Sequence, residues 1–376
     1  MASSYRIVLT GGGSGGHIYP LLAVAEELQK IAAEKQTPIE ILYIGPEDSY
    51  TAILKERGIQ THAILGAKWR RYASPLNIID IPKFFISLIQ AFTIMFLLMP
   101  DAVFSKGGTG ALPVVVSGWF YRIPVVIHES DATPGLTNAI SSRFATRIAV
   151  SFESCAAFFN PRITFWTGPP LRNGIFLNPV TQETAKKELG LDPQKPVILI
   201  LGGSQGSRTL NDFVLANLAE LLTVVQIIHQ TGTENYKEVE QSIRGILLGL
   251  PSHPQTIAGY KPFAYIDNMK QVLTAADLII SRAGSQLFEF AALKKPSILI
   301  PHGASNNHQR KNAYEFAKTE GALIIEEENL LPTIIIKEIK TLLASPALLQ
   351  KMGEQAGSFY KPGGAQSIAE ELMKLV

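Results

Sequence analysis

Short apolar segments alternate with stretches of helical periodicity along the whole chain, and this alternation constrains the fold more than any other feature. It is typical of βαβ units, in which helices connect the strands of a parallel sheet. The apolar segments of the first half are Arg6–Thr10, Glu40–Ile44, Ala102–Phe104, Val125–His128 and Arg147–Val150. Those of the second half are Val197–Leu201, Val224–His229, Leu278–Ser281, Ser297–Pro301 and Leu323–Ile325. The sequence therefore predicts an α/β fold with parallel sheets.

The two halves begin alike, which predicts two similar domains. The strand Arg6–Thr10 is followed by GGGSGGH and the strand Val197–Leu201 by GGSQGS, and a Pro- and Asn-rich stretch, TGPPLRNGIFLNPVTQET, separates the halves. We predict Rossmann-like, doubly wound domains at residues 1–166 and 181–345, a linker at 167–180, and C-terminal helices at 346–376 that pack back on the N-terminal domain. Because ligands bind beyond the carboxyl ends of such strands, we expect the domains to face each other across a cleft.

Composition excludes several classes of protein. A net charge of +2 over 376 residues lacks the electrostatic footprint of a nucleic-acid binder. The single cysteine, Cys155, excludes a disulfide framework and a cysteine-rich metal site, and we expect it to be a small buried side chain. The N-terminal residues run almost directly into a strand without the pattern of a signal peptide, which favours a cytoplasmic protein.

Three glycine-rich turns follow predicted strands, at Gly11–Gly16, Lys106–Gly110 and Gly202–Gly206. Glycines let the backbone approach a ligand closely, and the free N–H groups of the following helix attract anions. The spacing of the first turn is not GxGxxG, and no acidic residue closes the second strand, which disfavours a dinucleotide. The turns predict a ligand with several phosphates, or a phosphate on each side of the cleft. His17, at the edge of the first turn, is either structural or functional.

Charged residues lie where apolar strands end. His128 and Glu129 follow IPVVI, a position at which a carboxylate is expected to face a ligand. In the second half Arg282 ends a strand, Ser285 precedes a helix, and Glu289 lies about one turn along it. This pattern predicts an anion site with a carboxylate in reach of a ribose diol.

The segment Phe84–Met99 is apolar except for Ser87, Gln90 and Thr93, whose spacing of three puts them on one helical face. It is shorter than the ~20 residues that span a bilayer. Two interpretations are open, a core helix packed on a sheet or a helix that presents apolar side chains to a membrane surface. Nearby cations and aromatic residues suit an anionic membrane, and they are Lys68, Trp69, Arg70, Arg71, Tyr72 and Lys83.

Eight segments, in order, resemble the signature segments of the MurG family, the bacterial UDP-N-acetylglucosamine:lipid I N-acetylglucosaminyltransferases of glycosyltransferase family 28. They are GGGSGGHIYPLLAVA, KGGTGALPVVVSG, IPVVIHES with GLTN, TGPPLR, GGSQGSRTLN, YIDNM, SRAG followed by Glu289, and HQRKNA. The resemblance covers nearly the whole chain. It implies a GT-B fold and the inverting transfer of N-acetylglucosamine from UDP-GlcNAc to the 4-hydroxyl of the muramoyl sugar of lipid I. The product, lipid II, serves peptidoglycan and cell-wall biogenesis, and with them cell shape and cell division.

The resemblance also implies partners and location. The N-terminal domain is expected to bind lipid I and the membrane, and the C-terminal domain to bind UDP-GlcNAc as a substrate. No metal or other cofactor is expected, and no nucleic acid. The protein is expected to be peripheral, at the cytoplasmic face of the bacterial membrane, on an anionic surface. Cell-wall synthesis or division proteins are further expected partners.

Site residues are implied position by position. Catalytic roles fall to His17 and Glu129, either of which is expected to take the proton of the acceptor hydroxyl. Acceptor-binding positions are Gly15, Gly16, His17, Gly108, Thr109 and Asn138. Donor-binding positions are Ser14, Gly15, Gly16, Asp131, Arg172, Ser204, Gln205, Ile266, Arg282, Ser285, Glu289, His308 and Gln309. The backbone of Ile266 is expected to read uracil, and Glu289 to hold the ribose.

This chain departs from the family pattern in three places. Asp131 stands where an asparagine is common, the segment from Arg282 to Glu289 is one residue shorter than usual, and residues Gly303–Asn307 differ. Two alternatives stay open. One is another GT-B enzyme on a UDP-sugar, such as a UDP-GlcNAc 2-epimerase, which has no use for an apolar membrane-facing segment. The other is a non-catalytic membrane module that binds a nucleotide sugar, which the presence of His17, Glu129 and Glu289 disfavours.

Overall fold

The computed structural model describes residues 4–48, 50–66, 76–176, 180–248, 258–303 and 307–376. They form two compact units, of which unit 1 comprises Met1–Asn173 with Lys361–Val376 and unit 2 comprises Gly174–Tyr360. The chain passes from one unit to the other at 173/174, within the stretch 167–180 that the sequence predicts as a linker.

Unit 1 is built on a parallel sheet whose seven described strands run in the order β3-β2-β1-β4-β5-β6-β7. The strands are β1 Tyr5–Gly12, β2 Ile39–Gly45, β3 Gln60–Ala63, β4 Ala102–Gly108, β5 Val125–Glu129, β6 Arg147–Val150 and β7 Thr164–Trp166. The helices are α1 Gly15–Glu34, α2 Thr51–Glu56, α3 Leu76–Leu98, α4 Ala111–Phe120 and α5 Leu136–Ser141, with 3-10 helices at Glu153–Phe158 and Asn173–Ile175. The strand order reverses between β1 and β4, and ligands bind at such switch points.

Unit 2 repeats this arrangement, with six described strands in the order β10-β9-β8-β11-β12-β13, all parallel. The strands are β8 Val197–Leu201, β9 Gln226–Gln230, β10 Tyr260–Phe263, β11 Leu278–Ser281, β12 Ser297–Leu299 and β13 Ala322–Ile324. The helices are α6 Gln182–Glu188, α7 Arg208–Leu222, α8 Tyr236–Leu248, α9 Met269–Ala275, α10 Leu287–Ala292, α11 Asn307–Ala317, α12 Pro332–Leu343 and α13 Pro346–Gly357, with a 3-10 helix at Glu327–Asn329. Its switch point lies between β8 and β11. The predicted fold of two Rossmann-like parallel-sheet domains is confirmed.

The central strands are buried on both faces, as parallel sheets covered by helices require. In β1, Ile7, Val8 and Leu9 are all fully buried, and β8 is buried along its whole length. Cys155 is a buried free cysteine, as the sequence predicts.

The C-terminal segment 346–376 is divided, which corrects the prediction that all of it packs on the N-terminal domain. Residues 361–376 belong to unit 1, where α14, Gly364–Leu375, packs on α1. Ile368 and Leu372 enter that core, and Arg147 pairs with Glu371 at 2.6 Å. Residues 346–360 belong to unit 2, where α13 packs on α10 and buries Ala356. The boundary falls after α13 because that helix buries its apolar side chains in the core of unit 2.

Between Asp80 and Leu98, where its side chains are described, helix α3 contributes a narrow stripe to the core. Ser87, Ala91 and Met95, spaced four residues apart, are fully buried, whereas Thr93 is exposed, so the polar residues do not share one environment. Large apolar side chains face outward at Ile81, Phe85, Ile86, Ile89, Phe96, Leu97 and Met99. By length and composition alone, Asp80–Leu98 would suffice to cross a membrane, with 17% of the segment buried. Residues 67–75, which include Lys68 to Tyr72, lie outside the described residues.

Candidate active site

The two glycine-rich turns of unit 1 lie side by side because they follow neighbouring strands. Gly12 of β1 pairs with Gly108 of β4, where the register shifts. Gly108 has a φ of 84°, and a Cβ there would lie 2.5 Å from Gly12 O and 3.0 Å from His17 Nε2, so only glycine fits. A Cβ on Gly13 would lie 3.1 Å from Thr109 Oγ1. The predicted acceptor residues His17, Gly108 and Thr109 are thus brought together.

His17 lies in the first turn of α1, whose N-cap residue is Ser14. Its Nδ1 is 2.9 Å from Ser14 Oγ. Burial, with the charge of Lys106, lowers the pKa of His17 to about 3, so the imidazole is neutral near pH 7. A neutral imidazole has one nitrogen free to accept a proton. Tyr19 lies two residues after His17 on α1. The guanidinium of Arg172, a predicted donor-binding residue, lies 4.0 Å from the centre of the Tyr19 ring.

The carboxylate of Glu129 organises the loop that follows β5. Glu129 is 4% exposed. Its Oε1 accepts from Ser130 N at 2.8 Å and Asp131 N at 3.0 Å. Its Oε2 accepts from Gly135 N and from Asn138 Nδ2, both at 2.9 Å. Both oxygens are therefore engaged by the protein, and this geometry favours a positioning role for Glu129 over the predicted role of proton acceptor.

Asn138, whose direction the sequence leaves open, points inward and is buried. Besides Glu129, its Nδ2 donates to His128 O at 3.0 Å. A Cβ on Gly107, where φ is 78°, would lie 2.6 Å from Asn138 Oδ1. Asn138 therefore connects the end of β5 with the glycine-rich turn after β4.

Lys106, which our sequence reasoning does not assign, lies in the same region and is 2% exposed. Its Nζ donates to Ser130 Oγ at 2.8 Å. Burial lowers the pKa of Lys106, and the charges of Glu129 and Asp131 oppose this change. A lysine inside a glycine-rich turn that ends a buried strand is the signal that could have identified it.

In unit 2 a glutamine links two predicted parts of the donor site. Gln230, at the end of β9, is 1% exposed; its Nε2 donates to Gly203 O at 2.8 Å and its Oε1 accepts from Ile266 N at 3.1 Å. The glycine-rich turn is thereby held beside Ile266. In this structure the N–H of Ile266, which was expected to read uracil, is bound to Gln230. A polar residue ending an otherwise apolar strand is the signal that sequence reasoning missed.

Arg282 follows β11 and is 6% exposed. Its Nε and Nη2 donate to Ser207 Oγ at 3.1 and 2.7 Å, and its Nη1 donates to Ile300 O at 3.0 Å. Nη2 also pairs with Glu327 Oε1. All three nitrogens are thus engaged within unit 2, and Arg282 orders the switch-point loops in this structure.

Glu327 extends this network, and no local sequence pattern marks it. Its Oε2 accepts from His302 Nδ1 at 3.0 Å and from Gly303 N at 2.8 Å. Burial raises the pKa of Glu327, but the hydrogen bonds from Gly303, Arg282 and His302 outweigh it and lower the pKa to about 2. His302 N in turn donates to Gln309 Oε1 at 3.1 Å, which fixes a predicted donor-binding side chain.

The other predicted donor residues of unit 2 lie at its switch point or on nearby helices. Ser204 is half-buried and Gln205 exposed in the turn after β8. Ser285 and Glu289 are half-buried at the start of α10, and His308 is half-buried in the first turn of α11. The donor residues predicted at Ser14, Gly15, Gly16, Asp131 and Arg172 belong to unit 1. Among the described residues, no group of three His, Cys, Asp or Glu side chains is placed to hold a metal ion.

The fold and its sites define a class. A Rossmann-like unit with a glycine-rich turn at its switch point is typical of proteins that bind phosphate-bearing nucleotides. The glycosyltransferase family 28 N-terminal domain matches residues 7–150, and the family's C-terminal domain matches residues 197–372. The chain belongs to glycosyltransferase family 28.

Relatives cover nearly the full chain. The UDP-N-acetylglucosamine–N-acetylmuramyl-(pentapeptide) pyrophosphoryl-undecaprenol N-acetylglucosamine transferase of Halalkalibacterium halodurans is 35% identical over 99% of this chain and 98% of its own. A Bacillus cereus protein of the same name, numbered 2, is 37% identical over 90% of this chain and 91% of its own. The crystal structure of Acinetobacter baumannii MurG matches with a TM-score of 0.70 at 25% identity, covering 99% of this chain and 100% of that one.

Enzymes of another activity share the fold. A UDP-GlcNAc 2-epimerase from Neisseria meningitidis, solved with UDP-GlcNAc bound, matches with a TM-score of 0.68 at 14% identity, over 99% of this chain and 100% of that one. At that identity the likeness concerns the fold alone.

Proposed function

We propose that this protein is a UDP-GlcNAc-dependent N-acetylglucosaminyltransferase that converts lipid I to lipid II. It moves N-acetylglucosamine to the 4-hydroxyl of the muramoyl sugar with inversion, for peptidoglycan and cell-wall biogenesis. The observation that carries the proposal is the 35–37% identity, over at least nine tenths of the chain, to relatives named for this transfer. The epimerases share the fold at 14% identity.

The substrates are assigned to units by the residues at each switch point. Unit 1 binds lipid I beside the paired turns that contain Gly12 and Gly108, with His17 between them. Unit 2 binds UDP-GlcNAc at the turn Gly202–Gly206 and the start of α10, and we assign to Glu289 the role of accepting from the ribose hydroxyls. Glu289 lies half-buried in the first turn of α10, beside the glycine-rich turn of the switch point, and this position supports the role.

Transfer is a direct displacement at the anomeric carbon. The acceptor oxygen forms the new bond as the bond to the UDP oxygen breaks, and His17 takes the hydroxyl proton. We assign the proton to His17 because the oxygens of Glu129 are already engaged, although a pKa of about 3 makes the free imidazole a weak base in this structure. Backbone N–H groups around Ser204 and Ser285 stabilise the leaving UDP, and no metal or other cofactor is required.

The protein associates with the membrane because its acceptor is lipid-linked, and we assign it to the cytoplasmic face as a peripheral protein. The contact surface is the outer face of α3 together with the end of α4. Phe85, Ile89 and Leu97 are 58%, 67% and 73% exposed, and Trp119 and Phe120 of α4 are 53% and 60% exposed. The two helices pack together. An exposed apolar patch on this scale suits shallow insertion into a bilayer surface.

Release of UDP tests the activity against the epimerase alternative. Purified protein with UDP-GlcNAc alone should release no UDP and form no epimer, and addition of lipid I should start UDP release. Conversion of the sugar without acceptor would instead identify an epimerase, and binding without turnover would identify a non-catalytic module.

A further inference from the structure

Lys106 is buried, and the charges of Glu129 and Asp131 favour its cationic form. It is 2% exposed at the end of β4, and Ser130 Oγ, 2.8 Å from Nζ, is its hydrogen-bond partner among the described residues. An ammonium has three donors, and a buried charge is costly unless it is paired. Glu129, whose charge acts on Lys106, accepts hydrogen bonds from four donors other than Lys106. Donors of Lys106 therefore remain for a ligand.

The surroundings of Lys106 favour an anion. It begins a turn whose Gly107, Gly108 and Gly110 have φ of 78°, 84° and 82°, and α4 starts directly after the turn without a side-chain cap. Helix α1 also lacks a side-chain cap hydrogen bond at its N-terminus, next to the same turn. Uncapped helix N-termini present N–H donors and a positive dipole end.

We propose that Lys106 binds the pyrophosphate of the acceptor lipid, donating to an anionic oxygen beside the N–H groups at the start of α4. This rests on the proposed assignment of the acceptor to unit 1. Both substrates carry a pyrophosphate, so the donor is the rival source of the same chemistry. A purely structural rival is that Lys106 only fixes Ser130 and the loop after β5.

Steady-state kinetics of the full chain separate these possibilities. Lys106→Met keeps a long unbranched side chain, one atom shorter than lysine, and removes its charge. With a short-prenyl lipid I analogue and UDP-GlcNAc varied independently, the acceptor KM should rise roughly ten- to a hundredfold and the donor KM should stay within about twofold, as expected for loss of a charged hydrogen bond. Inorganic pyrophosphate, as an inhibitor competing with the acceptor, should lose potency by the same factor.

Ser130→Ala is the matched control, because it removes the protein partner of Lys106 and leaves the charge. Its acceptor KM should stay near that of the wild type. A rise equal to that of Lys106→Met would show that Lys106 only holds the loop, and would overturn the proposal. So would an unchanged acceptor KM in Lys106→Met, or a rise confined to the donor KM.

If Lys106→Met does not fold, the same kinetics are measured with the variants Ser130→Asp and Ser130→Asn instead. An aspartate beside Nζ should pair with Lys106 and raise the acceptor KM, whereas the neutral asparagine should not. Equal acceptor KM values in these two variants would contradict the proposal. Turnover of the analogue by the wild-type protein is measured first. If the wild type does not turn the analogue over, the proposed function is wrong. If the wild type is active and the variants have the same acceptor KM, only the role of Lys106 is wrong.

Discussion

Asn138 donates from Nδ2 to Glu129 Oε2 at 2.9 Å, and this contact completes a set of four hydrogen bonds on a buried carboxylate. Three of the donors are backbone N–H groups of the loop after β5. Burial and the charge of Asp131 raise the pKa of Glu129, and the charge of Lys106 with the hydrogen bonds from Gly135 and Asn138 opposes the rise. The loop and the carboxylate therefore depend on each other.

Glu129→Gln should destabilise the protein, because an amide NH₂ must then face N–H donors. Because hydrogen bonds to a charged group are lost, the free energy of unfolding should fall by about 1–3 kcal/mol, measured by chemical denaturation. The turnover number should fall, but the acid limb of the rate–pH profile should keep its midpoint. A variant of wild-type stability whose acid limb disappears would instead identify Glu129 as the base.

The neutral state of His17 predicts a pH effect on stability. The pKa of His17 falls from 6.5 to about 3 on folding, so the unfolded chain takes up the proton at higher pH. Stability is therefore lost as pH falls from about 6.5 towards 3. His17→Asn should lose less stability than the wild type between pH 7 and pH 5, measured by denaturation at both values. Equal losses in the two proteins would mean that the imidazole is not desolvated.

Glu289→Gln should weaken donor binding while sparing the acceptor. Loss of charged hydrogen bonds to ribose hydroxyls predicts a rise of roughly ten- to a hundredfold in the dissociation constant of UDP-GlcNAc, measured by calorimetry. Glu328→Gln, at an exposed position of the same unit, is the control. Wild-type affinity in Glu289→Gln would place the ribose elsewhere.

Transfer should not depend on a divalent metal. In the proposed reaction, backbone N–H groups and helix N-termini stabilise the negative charge of the leaving UDP, so no metal ion is needed. Activity measured with excess EDTA should equal activity with added magnesium or manganese. Loss of activity in EDTA, with recovery on adding either ion, would contradict this prediction.

The exposed face of α3 should carry membrane binding. Replacing Phe85, Ile89 and Leu97 with serine removes apolar side chains that are 58%, 67% and 73% exposed, and should reduce sedimentation with anionic liposomes. Activity on a short-prenyl acceptor should survive. The double variant Leu331→Ser and Ile334→Ser is the control, since these side chains are exposed in unit 2. Equal losses in both variants would indicate non-specific adhesion.

The sequence predicts the fold well because strand periodicity and glycine-rich turns are local signals. The turns after β1, β4 and β8 follow from Gly12, Gly108 and Gly203, whereas the strand order that sets the switch points is seen only in the structure. The division of the C-terminal helices between the two units cannot be predicted from local signals, because it depends on which core the buried side chains of α13 and α14 enter.

The site was only partly accessible from sequence for a similar reason. A glycine or a strand-end carboxylate is visible in the chain, but the partners of a side chain are not. Glu327 is 45 residues from Arg282 in sequence, and Gln230 is 36 residues from Ile266. These long-range hydrogen bonds decide that Arg282 orders loops and that the N–H of Ile266 is occupied.

The product of the reaction tests the central claim most directly. Wild-type protein is incubated with lipid I and UDP-GlcNAc carrying a ¹³C-labelled sugar, and the lipid fraction is analysed by mass spectrometry and NMR. The account predicts lipid I with one labelled N-acetylhexosamine added in β linkage at the 4-hydroxyl, and one UDP released per product. A lipid fraction without label, or label recovered as an epimerised nucleotide sugar, would contradict it.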